Sequence, residues 1–138
     1  MAAISAPTDR HERHSSRSID IIIHGATGYT GKRVVLHLAK KHPNLNIAVC
    51  GRNSNKLNAV ATELGWDESK CQSSTFVVED IVEGASDLIA AFSNAKVVIA
   101  CAGPYRQCGL PILKVRFDPI DSIYETKLML QYCLLVVA

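Results

Sequence analysis

A glycine-rich segment near the start of the chain has the spacing of a phosphate-binding turn. Residues 25–31 read Gly-Ala-Thr-Gly-Tyr-Thr-Gly and follow a short β-branched segment. One glycine permits a tight turn, one lets a diphosphate approach the backbone without meeting a Cβ atom, and one lets a helix pack closely on a sheet. The spacing is G-x-x-G-x-x-G instead of the commoner G-x-G-x-x-G, but the same physics applies. The predicted dinucleotide-binding residues here are Gly25, Ala26, Thr27, Gly28, Tyr29, Thr30 and Gly31.

The same segment overlaps a second motif, the P-loop of nucleoside triphosphatases. Residues 26–33 read A-x-x-x-x-G-K-R, whereas a P-loop reads G-x-x-x-x-G-K followed by Ser or Thr. Ala26 stands where the first glycine belongs, and Arg33 replaces the hydroxyl residue that would hold Mg²⁺. The fourth predicted strand also ends without an aspartate for the metal. We therefore expect Lys32 to be a solvent-facing helix residue and keep the triphosphatase as the weaker alternative.

The residues after the second predicted strand bear on the choice of cofactor. Domains that prefer NAD place Asp or Glu there, about twenty residues after the glycine turn, to bind the ribose 2′-hydroxyl. This chain has Gly51-Arg52-Asn53 at that position. A guanidinium attracts a 2′-phosphate and can bind it with two hydrogen bonds. The prediction is NADP, with Arg52 and Asn53 in its site; the alternative for Arg52 is an ordinary surface arginine.

One further residue and one loop are expected near the cofactor, where the carboxyl ends of the predicted strands lie. Asp80 ends the third predicted strand, where a carboxylate could accept a hydrogen bond from the adenine amino group or could simply begin a turn. The fourth strand is followed by Ala102, Gly103 and Pro104. Ligands of open α/β sheets bind outside the carboxyl ends of the strands, so this loop should border the cofactor.

The elements that must position these residues alternate between strand and helix. Such alternation indicates β-α-β units, right-handed crossovers and a parallel sheet. Nearly continuous apolar strands indicate a sheet covered on both faces, hence an α/β fold with a Rossmann-type doubly wound parallel sheet. We predict strands at 19–24, 46–50, 75–79 and 95–101, helices after the glycine turn, from about 56 to 64 and from 84 to 92, and a loop at 66–74.

Composition narrows the class of protein. The chain has 138 residues, of which 48% are apolar, enough for one packed domain. The net charge of +2 gives no reason to expect nucleic acid or an anionic membrane as a partner. The five cysteines are odd in number and form no C-x-x-C, which favours reduced thiols in an intracellular, most simply cytoplasmic, protein.

Taken together, three segments resemble the saccharopine-dehydrogenase-like oxidoreductases. They are residues 22–31, residues 49–53 with Lys56 and Leu57, and residues 102–105, and the resemblance covers roughly residues 19–114. It implies an amino-terminal NADP-binding domain of an oxidoreductase that transfers a hydride. The glycine turn and the Gly-Pro-Tyr loop are more similar to the trans-acting enoyl reductase, lipid-associated branch. That branch has been linked to membranes and lipid droplets, so the resemblance adds such a location to the expectations.

The resemblance ends near Lys114. We expect a disordered leader over 1–18, the NAD(P)-binding Rossmann domain over 19–114 and an atypical tail over 115–138, so that the domain is truncated and the family's substrate domain is absent. The apolar end of the tail could pack on an exposed sheet edge or cause association. The alternative function is then a non-catalytic nucleotide-binding or partner-binding module. The substrate, the catalytic residues and the oligomeric state are left open.

Overall fold

Parallel strands form the centre of the fold. In the computed structural model, residues 16–79, 86–101 and 135–137 are described. The sheet has the strand order β3-β2-β1-β4-β5, in which the first four strands are parallel and β5 pairs antiparallel with β4. The strands are β1 (Ile19–His24), β2 (Ile47–Gly51), β3 (Thr75–Val77), β4 (Ala95–Ala100) and β5 (Leu135–Val137).

The strand order identifies the fold class. The order 3-2-1-4 is that of the dinucleotide-binding half of a Rossmann fold, in which the chain reverses its winding direction between β1 and β4. In this register His24 lies beside Cys50 on β2 and beside Ala100 on β4. The carboxyl ends of the three central strands therefore meet at one edge. The predicted Rossmann-type parallel sheet is confirmed, with a short antiparallel strand added beside β4.

The described helices cover both faces of the sheet. They are α1 (Tyr29–Lys41), α2 (Ser54–Glu63), α3 (Glu68–Ser74) and α4 (Ser86–Phe92). On one face Val35 of α1 and Leu57 of α2 pack against Ile23 and Val49. The opposite face carries a second apolar cluster, which holds Ile22, Ala48, Val98, Ala91 and Phe92. Since each face of the sheet has its own core, the sheet is doubly wound as predicted.

The helix α1 follows from its sequence. Its apolar positions Val34, Val35 and Leu38 recur at helical spacing and lie on or against the core. Its last turn contains Lys40 and Lys41, and basic side chains at this end stabilise the helix dipole. The helix ends before Pro43, which cannot continue it.

The predicted loop over residues 66–74 is wrong, because residues 68–74 form α3. This helix has no apolar periodicity, which is why hydrophobic spacing did not reveal it. Its signal is Asp67, whose side chain accepts a hydrogen bond of 2.7 Å from the backbone N–H of Lys70, followed by the acidic residue Glu68 in the first turn. The strand β3 is shorter than predicted and ends at Val77.

The amino edge of the sheet is held by a polar network. A carboxylate oxygen of Asp20 accepts a 2.8 Å hydrogen bond from the Asn46 backbone, and the other forms a 2.7 Å ion pair with Lys96. The hydrogen bond from Lys96 is the largest cause of a lowered pKa at Asp20. The Asn46 side chain in turn accepts from Lys70 at 2.6 Å. The polar groups at this edge form hydrogen bonds and an ion pair with one another. The candidate ligand site is therefore at the opposite edge, where the carboxyl ends of the strands lie.

None of the helices among the described residues is both long enough and apolar enough to cross a membrane. The end of the tail, Leu135–Val137, forms the edge strand β5 beside Val98, Ile99 and Ala100. The sequence left open whether this segment packs on the sheet edge, and in the structure it does.

Candidate dinucleotide-binding site

The glycine turn joins the carboxyl end of β1 to the start of α1. Gly25 has a φ of 78°, in the left-handed region that glycine adopts without strain. Its backbone N–H donates a 2.9 Å hydrogen bond to the carbonyl of Cys50, which ties the turn to β2. A Cβ atom on Gly31 would overlap the carbonyl oxygen of Gly25 and lie 3.0 Å from the Cα of Ala26. Gly25 and Gly31 are therefore required by the protein's own geometry.

Gly28 is different, because the surrounding protein does not require a glycine there. Its φ of −76° and ψ of 167° are open to any residue. A Cβ atom on Gly28 would meet only the carbonyl oxygen of Gly25, at an ordinary contact distance of 3.4 Å. Gly28 is exposed, as are Tyr29 and Thr30 after it. The absence of a side chain at this position leaves room for a ligand to approach the backbone.

The N-terminus of α1 offers hydrogen-bond donors to such a ligand. Among the described residues, no side chain caps this helix, and no acceptor bonds the backbone N–H groups of Tyr29, Thr30 and Gly31. Its first turn also contains no acidic residue. Free N–H groups and the positive end of the helix dipole together favour an anion, above all a phosphate.

Arg52 lies beside the turn at the end of β2. Its side chain is exposed and, within the described part of the chain, forms no ion pair. The neighbouring Asn53 is the N-cap of α2, because its Oδ1 accepts a 3.1 Å hydrogen bond from the backbone N–H of Lys56. The structure thus gives Asn53 a structural task, and its assignment to the cofactor stays a prediction.

Lys32 lies on the surface of α1, as expected. Its Nζ forms a 2.7 Å ion pair with Glu63 of α2, and both side chains are nearly half exposed. In a P-loop this lysine would instead reach the phosphates of the nucleotide. Its pairing with the second helix agrees with the departures from the P-loop motif at Ala26 and Arg33.

Sequence reasoning missed the state of His24, the last residue of β1. The imidazole is 2% exposed, and neither ring nitrogen has a hydrogen-bond partner among the described residues. Its ring meets that of Phe92 edge-on, with the centroids 5.8 Å apart. Burial, and to a smaller extent the positive charge of Arg52, lowers the pKa of His24 to about 4. The available signal was a polar residue at the end of an otherwise apolar strand.

Cys50 faces the same core as His24. It is fully buried, and burial raises the pKa of its thiol to about 12. A thiol that stays protonated is a poor nucleophile. Cys50 therefore acts as a small buried hydrophobic residue.

A second feature that the sequence did not reveal is a contact between Arg33 and Tyr29. The guanidinium carbon of Arg33 lies 4.7 Å from the centroid of the Tyr29 ring. In the sequence, Arg33 stands out only as the residue that replaces a P-loop hydroxyl. The structure places it against the first residue of α1.

Four predicted site residues lie outside the described part of the chain: Asp80, Ala102, Gly103 and Pro104. The strands that lead to them, β3 and β4, end at the same edge as the glycine turn. The structure therefore brings together the glycine turn, Arg52 and Asn53, and leaves the other four as predictions.

Comparison with known proteins matches this site to one family. Residues 21–115 match the model of the saccharopine dehydrogenase NADP binding domain. The chain is 37% identical to the trans-acting enoyl reductase of Mycobacterium leprae over 97 residues, which make up 70% of this chain and 22% of that protein. It is 34% identical to the trans-acting enoyl reductase of Mycobacterium ulcerans over 99 residues, or 72% of this chain and 23% of that protein.

The chain thus spans less than a quarter of the length of these curated relatives. No solved structure matches it. The described residues fit the cofactor of the matched family, since a helix N-terminus with free donors and an exposed glycine suit a diphosphate, and Arg52 suits a 2′-phosphate. The chain belongs to the saccharopine dehydrogenase family, and residues 21–115 are its NADP-binding domain.

Proposed function

We propose that this domain holds NADP across the carboxyl edge of its sheet so that the cofactor serves hydride transfer in an oxidoreductase. The observation that carries the proposal is the N-terminus of α1, where an exposed glycine and uncapped N–H groups lie together at the carboxyl end of β1. NADP supplies or accepts the hydride when it is bound, and the residues of this chain bind and orient it.

The diphosphate would lie at the start of α1. The backbone N–H groups of Tyr29, Thr30 and Gly31 are free to donate to its oxygens. The missing side chain of Gly28 lets the phosphate come close to these donors. The negative charge of a diphosphate is further stabilised by the helix dipole.

The 2′-phosphate would lie beside Arg52. This residue follows β2, whose carbonyl at Cys50 is bonded to the glycine turn, so the two phosphate-binding features are adjacent. The next residue, Asn53, is neutral, whereas a carboxylate near Arg52 would repel a phosphate. We assign Asn53 to this part of the site as well, with Asp80 at the adenine and Ala102, Gly103 and Pro104 alongside the cofactor.

The printed names of the relatives suggest the kind of reaction. Both are called enoyl reductases. We propose that NADPH bound by this chain is used to reduce a carbon–carbon double bond next to a carbonyl group. Substrate-dependent oxidation of NADPH by the chain with an enoyl thioester would support this step. Saturable NADPH binding without any such oxidation would restrict the function to nucleotide binding.

Titration calorimetry with NADPH and NADH tests the cofactor assignment. We expect NADPH to bind at least tenfold more tightly than NADH. Arg52→Ala should weaken NADPH by about tenfold to a hundredfold, since charge-assisted hydrogen bonds contribute about 1.5–3 kcal/mol, and should change NADH little. Lys41→Ala, at the far end of α1, is the control and should change neither. No saturable binding of either dinucleotide would overturn the proposal, and equal affinities would remove the role of Arg52.

A further inference from the structure

The contact between Arg33 and Tyr29 involves the first residue of α1, the helix at whose start we place the diphosphate. The two residues are four apart on α1 and so lie on one face of the helix. The Tyr29 ring is 77% exposed, and the guanidinium lies over it at 4.7 Å. Long side chains on a helix point back towards its N-terminus. The charge of Arg33 is thereby held near the first turn of α1 instead of extending freely into solvent.

In the protein alone the Tyr29 ring attracts the Arg33 guanidinium, but the dipole of α1 opposes this placement. The N-terminus of a helix carries a partial positive charge, which repels a cation. Lys32, the neighbour of Arg33, is neutralised by Glu63 at 2.7 Å, whereas Arg33 pairs with no carboxylate among the described residues. The first turn contains no acidic residue that could offset the charge. An anion bound at the helix start would turn this repulsion into attraction.

We propose that Arg33 is a diphosphate-binding residue and that Tyr29 positions its guanidinium. The inference rests on the proposed binding of a dinucleotide at the start of α1. Tyr29 is the first residue of the helix, and its backbone N–H is one of the free donors. The residue that holds the Arg33 guanidinium over its ring is thus the same residue that supplies one of these donors. Its planar N–H groups suit two phosphate oxygens at once.

The role of Arg33 differs from that of Arg52 in the part of the ligand that it binds. Arg52 is assigned to the 2′-phosphate, which only NADP carries. The diphosphate is common to NADP and NAD. Arg33 thus contributes to affinity for both dinucleotides equally and does not distinguish them.

Two fragments of the cofactor separate the two arginines. ADP-ribose has the diphosphate without the 2′-phosphate, and adenosine 2′-monophosphate has the 2′-phosphate without the diphosphate. Arg33→Ala should weaken ADP-ribose, NADPH and NADH by the same factor, about tenfold, and leave adenosine 2′-monophosphate unchanged. Lys32→Ala removes a positive charge from the same turn and should change each affinity less than about twofold, because Glu63 already offsets that charge.

Variants of Tyr29 test the positioning step. Tyr29→Phe keeps an aromatic face for the guanidinium and should bind ADP-ribose like the original chain. Tyr29→Ala should weaken ADP-ribose about threefold in the original chain but much less in the Arg33→Ala background. Equal losses in the two backgrounds would overturn the positioning role of Tyr29.

The outcomes for Arg33 and for the proposed function are distinct. Should Arg33→Ala bind ADP-ribose as tightly as the original chain while NADPH binding persists, Arg33 has no role at the diphosphate and the proposed function stands. Equal weakening of ADP-ribose and adenosine 2′-monophosphate by Arg33→Ala would show a general charge effect and would also overturn the inference. Failure of the original chain to bind any of these ligands would overturn the proposed function itself.

Discussion

The first two helices begin in opposite ways. The N-terminus of α2 is capped by Asn53, whose side chain bonds the backbone N–H of Lys56 at 3.1 Å. The N-terminus of α1 begins at exposed Gly28, which has no side chain to supply such a bond. Both helices follow strands that end at the same edge of the sheet. The helix that follows β2 thus satisfies its own donors, and the helix that follows β1 keeps them free.

The two helix starts separate groups that stabilise the fold from groups that are left free for the proposed ligand. A capping side chain adds only a few tenths of a kcal/mol over glycine at the N-cap, so leaving the start of α1 uncapped costs the fold little. The helix is stabilised elsewhere, by the burial of Val35 and by the close packing that Gly31 permits. Donors that the protein leaves unsatisfied at the carboxyl edge of a parallel sheet are what a phosphate ligand requires.

The largest expected effect comes from Gly31→Ala. The added methyl group would overlap the Gly25 carbonyl, so α1 would have to move away from the turn. We expect the free energy of unfolding to fall by about 3 kcal/mol or more, measured by urea denaturation. The control is Gly51→Ala, because an added Cβ atom there would lie 3.4 Å from its nearest neighbour, a methyl carbon of Leu57. Gly65→Ala would not serve, because Gly65 has a φ of 73°. A Gly31→Ala chain as stable as the original would show that the packing between turn and helix is not tight.

Lowering the pH should have the next largest effect on the free energy of unfolding. His24, directly before the turn, is neutral in the folded chain, with a pKa of about 4 against an ordinary 6.5. The unfolded chain takes up the proton first, so stability falls as the pH decreases from about 6.5 to about 4. The total loss is about 3 kcal/mol at pH 4, since one pKa unit corresponds to about 1.4 kcal/mol.

The pH dependence of stability for His24→Leu isolates this effect. Denaturation at a series of pH values should give a shallower decrease for the variant than for the original chain between these limits. Asp20 also loses a stabilising interaction in acid, because its pKa is lowered, but it does so equally in both chains. Parallel pH profiles for the two chains would contradict a buried, neutral His24.

A third prediction converts the open helix end into a capped one. Gly28→Asp supplies a carboxylate that can accept from the free N–H groups, and the position has room for a side chain. We expect stability to rise by about 0.5–1 kcal/mol and NADPH affinity to fall more than tenfold, because the carboxylate occupies the donors and repels the diphosphate. Thermal unfolding and calorimetry measure the two effects. Retained NADPH affinity in this variant would place the diphosphate elsewhere.

The smallest effect is expected from removing the cap of α2. Asn53→Ala should lower the free energy of unfolding by about 1 kcal/mol, as is usual for the loss of an N-cap. Asn53→Asp preserves the cap but adds a negative charge beside Arg52, and should weaken NADPH more than NADH. Unchanged stability in Asn53→Ala would mean that the hydrogen bond to Lys56 contributes nothing.

Much of the fold could be predicted from local patterns. Strands β1 and β4 were visible as β-branched, apolar segments, and α1 as an amphipathic segment ended by basic residues and Pro43. The glycine turn was visible because its three glycines recur at a phosphate-binding spacing directly after a β-branched segment. The helix α3 was not, because it is short and uses a cap instead of an apolar face. Hydrophobic periodicity carries no information about such a helix.

The amino-acid sequence alone determined the order of β1 to β4 with α1, α2 and α4, the position of the glycine turn and the arginine after β2, since these depend on residue type and local spacing. Tertiary structure decided which residues of the turn and of α1 are used by the protein's own packing and pairing, and which are left available to a ligand. Only the packed chain shows that Gly31 is needed by the protein while Gly28 is not, and that Lys32 is paired while Arg33 lies over Tyr29. These are properties of the neighbours that folding brings together, and local spacing does not specify neighbours that are distant in the chain.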